Sequence, residues 1–215
     1  MQRVRVTITG VSPLLMNPAT EALIEQLRTR TPAQRRRDWT AEEEAGEKLY
    51  KNAKGLIGIP IENLLASLVE AGRSVTLTGR SKVSTATSTQ LYAFLSAEED
   101  FLPFPADYQH WQVDKRRGRN PNGGEMVALT RPRFDNWSVT VTLVIDESLI
   151  DLSKIRELFD IAGRSVGLCD FRPGCRGRFG RSAVTAWDVL TPKAPATTSR
   201  ASTNGKIRQL AGARR

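Results

Sequence analysis

Gly58-Ile59-Pro60-Ile61-Glu62-Asn63-Leu64-Leu65-Ala66-Ser67-Leu68-Val69-Glu70-Ala71-Gly72 is the stretch on which the fold turns. Ile61, Leu64, Leu65, Leu68 and Val69 recur at helical spacing and make one apolar stripe. Pro60 suits a first turn, where its missing N–H costs nothing, and Gly72 suits a stop. The spacing predicts a core helix. Upstream, Arg3-Val4-Arg5-Val6-Thr7-Ile8-Thr9 alternates strictly, with Val4, Val6 and Ile8 on one side, as a half-buried strand does. Downstream, residues 74–78 read as a short strand, and residues 91–104 are expected to include another.

The second half repeats the scheme. Val139-Thr140-Val141-Thr142-Leu143-Val144-Ile145 is β-branched and alternating, the clearest strand in the chain. Residues 153–163 carry Ile155, Leu158, Phe159 and Ala162 on one helical stripe, with Asp151 or Ser153 available as a cap and Gly163 as a stop. A last strand falls at about 182–190. Without two insertions, at about 17–55 and 106–133, the order is βαββαβ. That predicts an α+β chain with a ferredoxin-like, RRM-like core, formed as one domain over residues 1–190.

Residues 18–54 are charge-dense, with bases including Arg35-Arg36-Arg37, and read as an exposed insertion, partly helical around 20–29 and 40–51. Residues 111–133 form the second insertion. Lys115, Arg116, Arg117 and Arg119 precede Asn120-Pro121-Asn122-Gly123-Gly124, and Arg131 and Arg133 follow. Two extended arms about an Asn-Gly turn predict a β-hairpin. Its bases outnumber its acids, Asp114 and Glu125, so it is a positive arm.

The net charge is +9, but six of those charges lie in residues 191–215, which contain no acid. That tail, rich in Pro, Ala, Ser and Thr, reads as disordered. The body is only mildly basic, so any polyanion partner must be met by local clusters. No run of about 18 apolar residues is present, which argues against a membrane span, and the charged N-terminus lacks the apolar centre of a signal peptide. The expected location is the cytoplasm. The only cysteines, Cys169 and Cys175, read as free thiols. With one histidine, His110, there are too few ligands for a zinc centre and little to build a Ser-His or Cys-His pair. No cofactor, metal or enzymatic activity is expected.

Three segments carry chemistry. Residues 163–181 hold Arg164, Arg172, Arg176, Arg178 and Arg181, spaced by five glycines and accompanied by one acid, Asp170. Glycine lets a backbone approach a ligand closely, and arginine offers a planar fork to phosphate. Phe179 is the candidate stacking face. No Gly-Lys-Ser/Thr ends the loop, so it is not a nucleotide P-loop. The basic arm is the second segment, suited to lying along a nucleic-acid backbone or reaching another subunit. Arg80 and Lys82, before a Ser/Thr run, are the third.

The Ile59-Pro60 step into the helix resembles the helix-opening motif of the repeat-associated mysterious protein superfamily. The loop Gly174–Gly180 is similar to that superfamily's C-terminal glycine-rich loop. The order of elements resembles the backbone subunit of CRISPR effector complexes, over roughly residues 1–190 as topology and about 20 residues as motif. The resemblance implies a guide RNA and a complementary target as partners, together with other effector subunits and copies of the chain in a head-to-tail filament. It also implies that the arm acts as a thumb. In some relatives an aspartate near the thumb cleaves RNA with a metal. Asp114 is nearest here, and beside Lys115, Arg116 and Arg117 it reads as a salt-bridge partner. The Asp170-Phe171-Arg172-Pro173 loop is also similar to phage-type proteins. That similarity implies a divergent or stand-alone, phage-type member of the superfamily; a phage-type single-stranded DNA-binding or annealing protein, and a structural adaptor without nucleic acid, stand as alternatives.

Overall fold

A computed structural model describes residues 1–19, 24–25, 28–29, 39–119 and 126–190. The chain opens with β1 (Gln2–Gly10) and a short β2 (Leu14–Leu15). Of the helix expected around 20–29, Ile24, Glu25, Arg28 and Thr29 are helical. The rest of it lies outside the described residues, as do Arg35, Arg36 and Arg37. Within 40–51 the helix is α1 (Ala41–Gly46), started by a capping box between Thr40 and Glu43.

β3 (Gly58–Pro60) leads straight into α2 (Ile61–Ala71), whose Ile61, Leu64, Leu68 and Ala71 are buried. Pro60 stands at the helix start, and the Ile61 N–H is taken up by the Asp100 carbonyl. Gly72 ends the helix, but not by a left-handed turn, since its φ is −58°. It is glycine because a β-carbon there would press within 2.6 Å of Ser84 Oγ.

The strand expected at 74–78 shortens to β4 (Thr76–Thr78), paired with β5 (Ser81–Lys82). Residues 91–104 divide into α3 (Leu91–Phe94), β6 (Leu95–Ala97) and β7 (Phe101–Pro103). β6 joins the main sheet, and β7 pairs with β3. The arm is β8 (Gln112–Arg119) and β9 (Met126–Phe134), whose foot pairs with β2. Its Asn120–Gly124 turn lies outside the described residues.

β10 (Ser138–Ile145) and α4 (Leu152–Ile161) follow as expected. Asp151 occupies the cap position, yet its side chain makes no capping hydrogen bond. Gly163 does not stop the helix. The chain continues through a wider π-type turn over Ala162–Val166, and Gly163 is buried within it, against the Ser182 carbonyl. β11 (Ser182–Leu190) closes the fold, and residues 191–215 lie outside the described residues.

The main sheet is antiparallel with the order β11-β1-β10-β6. Numbered by their place among the core strands, this is 4-1-3-2, the split βαβ arrangement. The chain is therefore α+β with a ferredoxin-like core. Val4, Val6, Ile8, Val139, Val141, Leu143 and Ile145 face α2 and α4 and are almost wholly buried. Each such side chain contributes about 1.5–3 kcal/mol. The opposite face of β1 and β10 is hydroxylic: Thr7 bonds Thr140 at 2.9 Å and Thr9 bonds Thr185 at 2.9 Å. Among the described residues no helix is long and apolar enough to cross a membrane.

Candidate nucleic-acid interface

The topology brings the arm and the glycine loop to the same end of the sheet. β1 ends at Gly10, which pairs with Ser182, the first residue after the loop. Thr9 pairs with Ser138, the first residue of the strand that follows the arm. Between them, Pro13 and Leu15 hold the loop down: Gly180 N–H donates to the Pro13 carbonyl and Asp170 N–H to the Leu15 carbonyl. β2 also pairs with β9 at Arg133 and Phe134. One short strand thus anchors both elements.

Side chains join them directly. Arg131, on β9, reaches Asp170 in the loop at 2.6 Å and Asp114, on β8, at 3.7 Å. Arg116 donates from Nε to both oxygens of Asp114, at 2.8 and 2.9 Å. Its guanidinium lies 4.8 Å from the centre of the Phe179 ring, a cation–π distance. Arg178 lies 5.5 Å from the same ring, and Arg131 lies 5.8 Å from that of Phe171.

The loop is tightly wound. Cys169, Phe171 and Arg176 have positive φ values of 58°, 49° and 60°. Side chains rarely accept that region, and each such residue costs on the order of 1–3 kcal/mol. Gly177 and Gly180 permit the winding, because a β-carbon at either would overlap the carbonyl of Phe171 or Leu168. Cys169 and Cys175 are both free thiols. Cys169 is buried, and that burial pushes its pKa from 9.0 up to about 12.

The structure corrects the expectations for Phe179 and Arg131 and gives several of the other bases internal partners. Phe179 is 1% exposed and packs on Phe171, so its ring is a core element and offers no stacking face to a base. Arg131 is 4% exposed and serves as the internal tie, not as a surface cation. Arg116 is half-buried and engaged by Asp114. Arg133 pairs with Asp135 at 2.6 Å. Arg172 donates to the Cys169 carbonyl and leans towards Glu70 at 3.8 Å. Lys82 is held by the Ser74 carbonyl and Thr76 Oγ1. Arg80 is exposed at the tip of the β4–β5 hairpin, which shares no hydrogen bond or ion pair with the arm or the loop among the described residues. The Arg119 side chain lies outside the described residues.

Lys115, Arg117, Arg164, Arg176, Arg178 and Arg181 remain exposed. Among the described residues none of these six has an ion-pair partner. Lys115 and Arg117 alternate along β8, so they share a face about 6.7 Å apart. The four loop arginines lie at the same end of the fold but on the side of the arm faced by Asp114, Arg116 and Arg131, opposite the face that carries Lys115 and Arg117. Such a distribution can neutralise phosphates of a strand that passes over the edge of the arm, without reading base identity.

No family model matches the chain, and no curated protein sequence matches it. Among solved structures, it resembles a chain from the cryo-EM structure of the Type III-B Cmr-beta bound to cognate target RNA. The TM-score is 0.51 at 10% sequence identity, over 88% of this chain and 60% of that chain. This chain thus spans about 60% of the length of the one it matches. At that identity the likeness is one of fold.

Proposed function

We propose that this chain is a non-catalytic RNA-binding subunit of a CRISPR-type effector ribonucleoprotein, carrying a guide strand across the end of the sheet where the arm meets the glycine loop. The observation that carries this reading is the division of labour among the basic residues. Arg131 and Arg116 are paired with internal acids, whereas six other cations on the joined elements have no ion-pair partner among the described residues. Six exposed cations gathered at one end of a mildly basic body make a local positive field that attracts a polyanion. The fold likeness to a chain of the Cmr-beta assembly supports the same reading.

In this reading Asp114 is a structural ion-pair partner and not a catalytic group. It is 7% exposed and paired with Arg116 and Arg131. Copies of the chain pack head-to-tail along the RNA, because heterologous contacts generate filaments. The test is to sequence the RNA that co-purifies with the chain. Short RNAs sharing a repeat-derived end are the expected outcome, and random fragments contradict a guide role. Competition between RNA and DNA oligomers of equal length separates this reading from a single-stranded DNA binder.

A further inference from the structure

A recess opens at the foot of the arm, apart from the six exposed cations. Its volume is about 300 Å³, and it lies between residues 107–112 and 133–136. Tyr108 and Trp111, both half-buried, are among the residues that line it. Trp111 is steadied from behind by α1, where its ring comes within 4.0 Å of the space beside Gly46. Asp107, His110 and Asn136 are exposed on the rim, and their side chains have no hydrogen-bond partner among the described residues.

The charge of this recess differs from that of the phosphate track. Asp107 and Asp135 oppose one base, Arg133, which is already paired with Asp135 at 2.6 Å. A phosphate is repelled there. A neutral planar ring with polar edges is not: it can stack on the aromatic walls and exchange hydrogen bonds with the unpaired carboxylate and amide. We propose that the recess takes one unpaired nucleobase, stacked against Tyr108 and Trp111 and held at its polar edge by Asp107 and Asn136. The inference rests on the RNA-binding reading for its ligand class. Single-stranded RNA is recognised through splayed bases of this kind. The acceptor-only Asp107 carboxylate favours bases bearing an exocyclic amino group, so adenine, guanine and cytosine bind better than uracil.

The experiment is saturation-transfer NMR on the full chain with the four ribonucleosides, which carry no phosphate and so bypass the cationic track. Transfer to the base protons of adenosine, guanosine and cytidine, above that to their ribose protons and above that to uridine, is the expected result. The Asp107→Ala/Asn136→Ala double variant, altered only at exposed positions and checked for an unchanged unfolding midpoint, binds them about tenfold more weakly. Absence of base-proton transfer for every nucleoside, or transfer unchanged in the double variant, overturns the proposal. RNA binding without nucleoside binding removes the recess and leaves the track. Nucleoside binding without RNA binding removes the subunit reading instead.

Discussion

Arg131 Nη1 lies 2.6 Å from Asp170 Oδ2, and this contact ties the basic arm to the glycine loop across 39 residues of sequence. Arg131 is almost fully buried, and its Nε has no hydrogen-bond partner among the described residues. Burying a charge in this way adds little net stability, because desolvation offsets most of the attraction. What the contact supplies is geometry: it sets the angle at which Lys115 and Arg117 stand relative to Arg176, Arg178 and Arg181.

Arg131→Ala is expected to destabilise the chain by about 1.5–3 kcal/mol in urea unfolding, since it removes a charged hydrogen bond to Asp170 and the buried packing of the arginine stem, while Asp114 keeps Arg116. Hydrogen exchange over residues 168–180 rises in the same variant. Arg117→Ala, at an exposed position, changes stability by less than about 0.5 kcal/mol. Equal effects of the two substitutions contradict the tie.

Alanine at Lys115, Arg117, Arg176, Arg178 or Arg181 weakens RNA binding at fixed salt. Each removal reduces the slope of log K against log salt by about 0.7, the contribution of one neutralised phosphate on a single strand. Fluorescence anisotropy across a salt series measures it. Loss of affinity with an unchanged slope places that residue off the track.

Phe179→Leu keeps the loop filled while removing the aromatic ring. RNA affinity is expected to stay within about twofold of the parent, far less than the loss of a base–aromatic stack would cause. Phe179→Ala, by contrast, costs about 3–5 kcal/mol of stability through the cavity it opens. A large loss of affinity in a fully folded Phe179→Leu returns the ring to the binding surface.

The Cys169 thiol has a pKa raised by burial, from 9.0 to about 12. The folded chain therefore holds its proton where the unfolded chain releases it. The thiol's contribution to stability is intact below pH 9, falls as pH rises from about 9 to about 12, and is absent from a Cys169→Ala variant. Native-state alkylation modifies exposed Cys175 readily and spares Cys169, which mass spectrometry resolves.

Much of the fold is legible in particular residues. Val4, Val6 and Ile8 mark β1, and Ile61, Leu64 and Leu68 mark α2, because period alone reveals which side of an element is buried. Leu14–Leu15, which anchors both the arm and the loop, is not legible, since two residues carry no period. Nor is the role of Gly72, which answers a contact with Ser84 twelve residues away, or that of Gly163, which answers the Ser182 carbonyl. For the site, charge density marked two segments that the fold brings together, but not which of their bases are exposed and which are engaged internally. Arg131 and Lys115 look alike in sequence; only the register opposite Asp114 and the reach to Asp170 make one a tie and leave the other exposed. Phe179 looks like a surface aromatic between Arg178 and Gly180 in a basic loop, and only the left-handed turn at Phe171 and the close packing of Gly177 fold it inward.

The central claim, that arm and loop form one track, is tested most directly by photo-cross-linking a short single-stranded RNA to the full chain and mapping the linked peptides by mass spectrometry. The expected result is linkage of individual RNA molecules to both residues 112–119 and residues 176–181. Linkage confined to one of these segments, or to the β4–β5 hairpin instead, contradicts it.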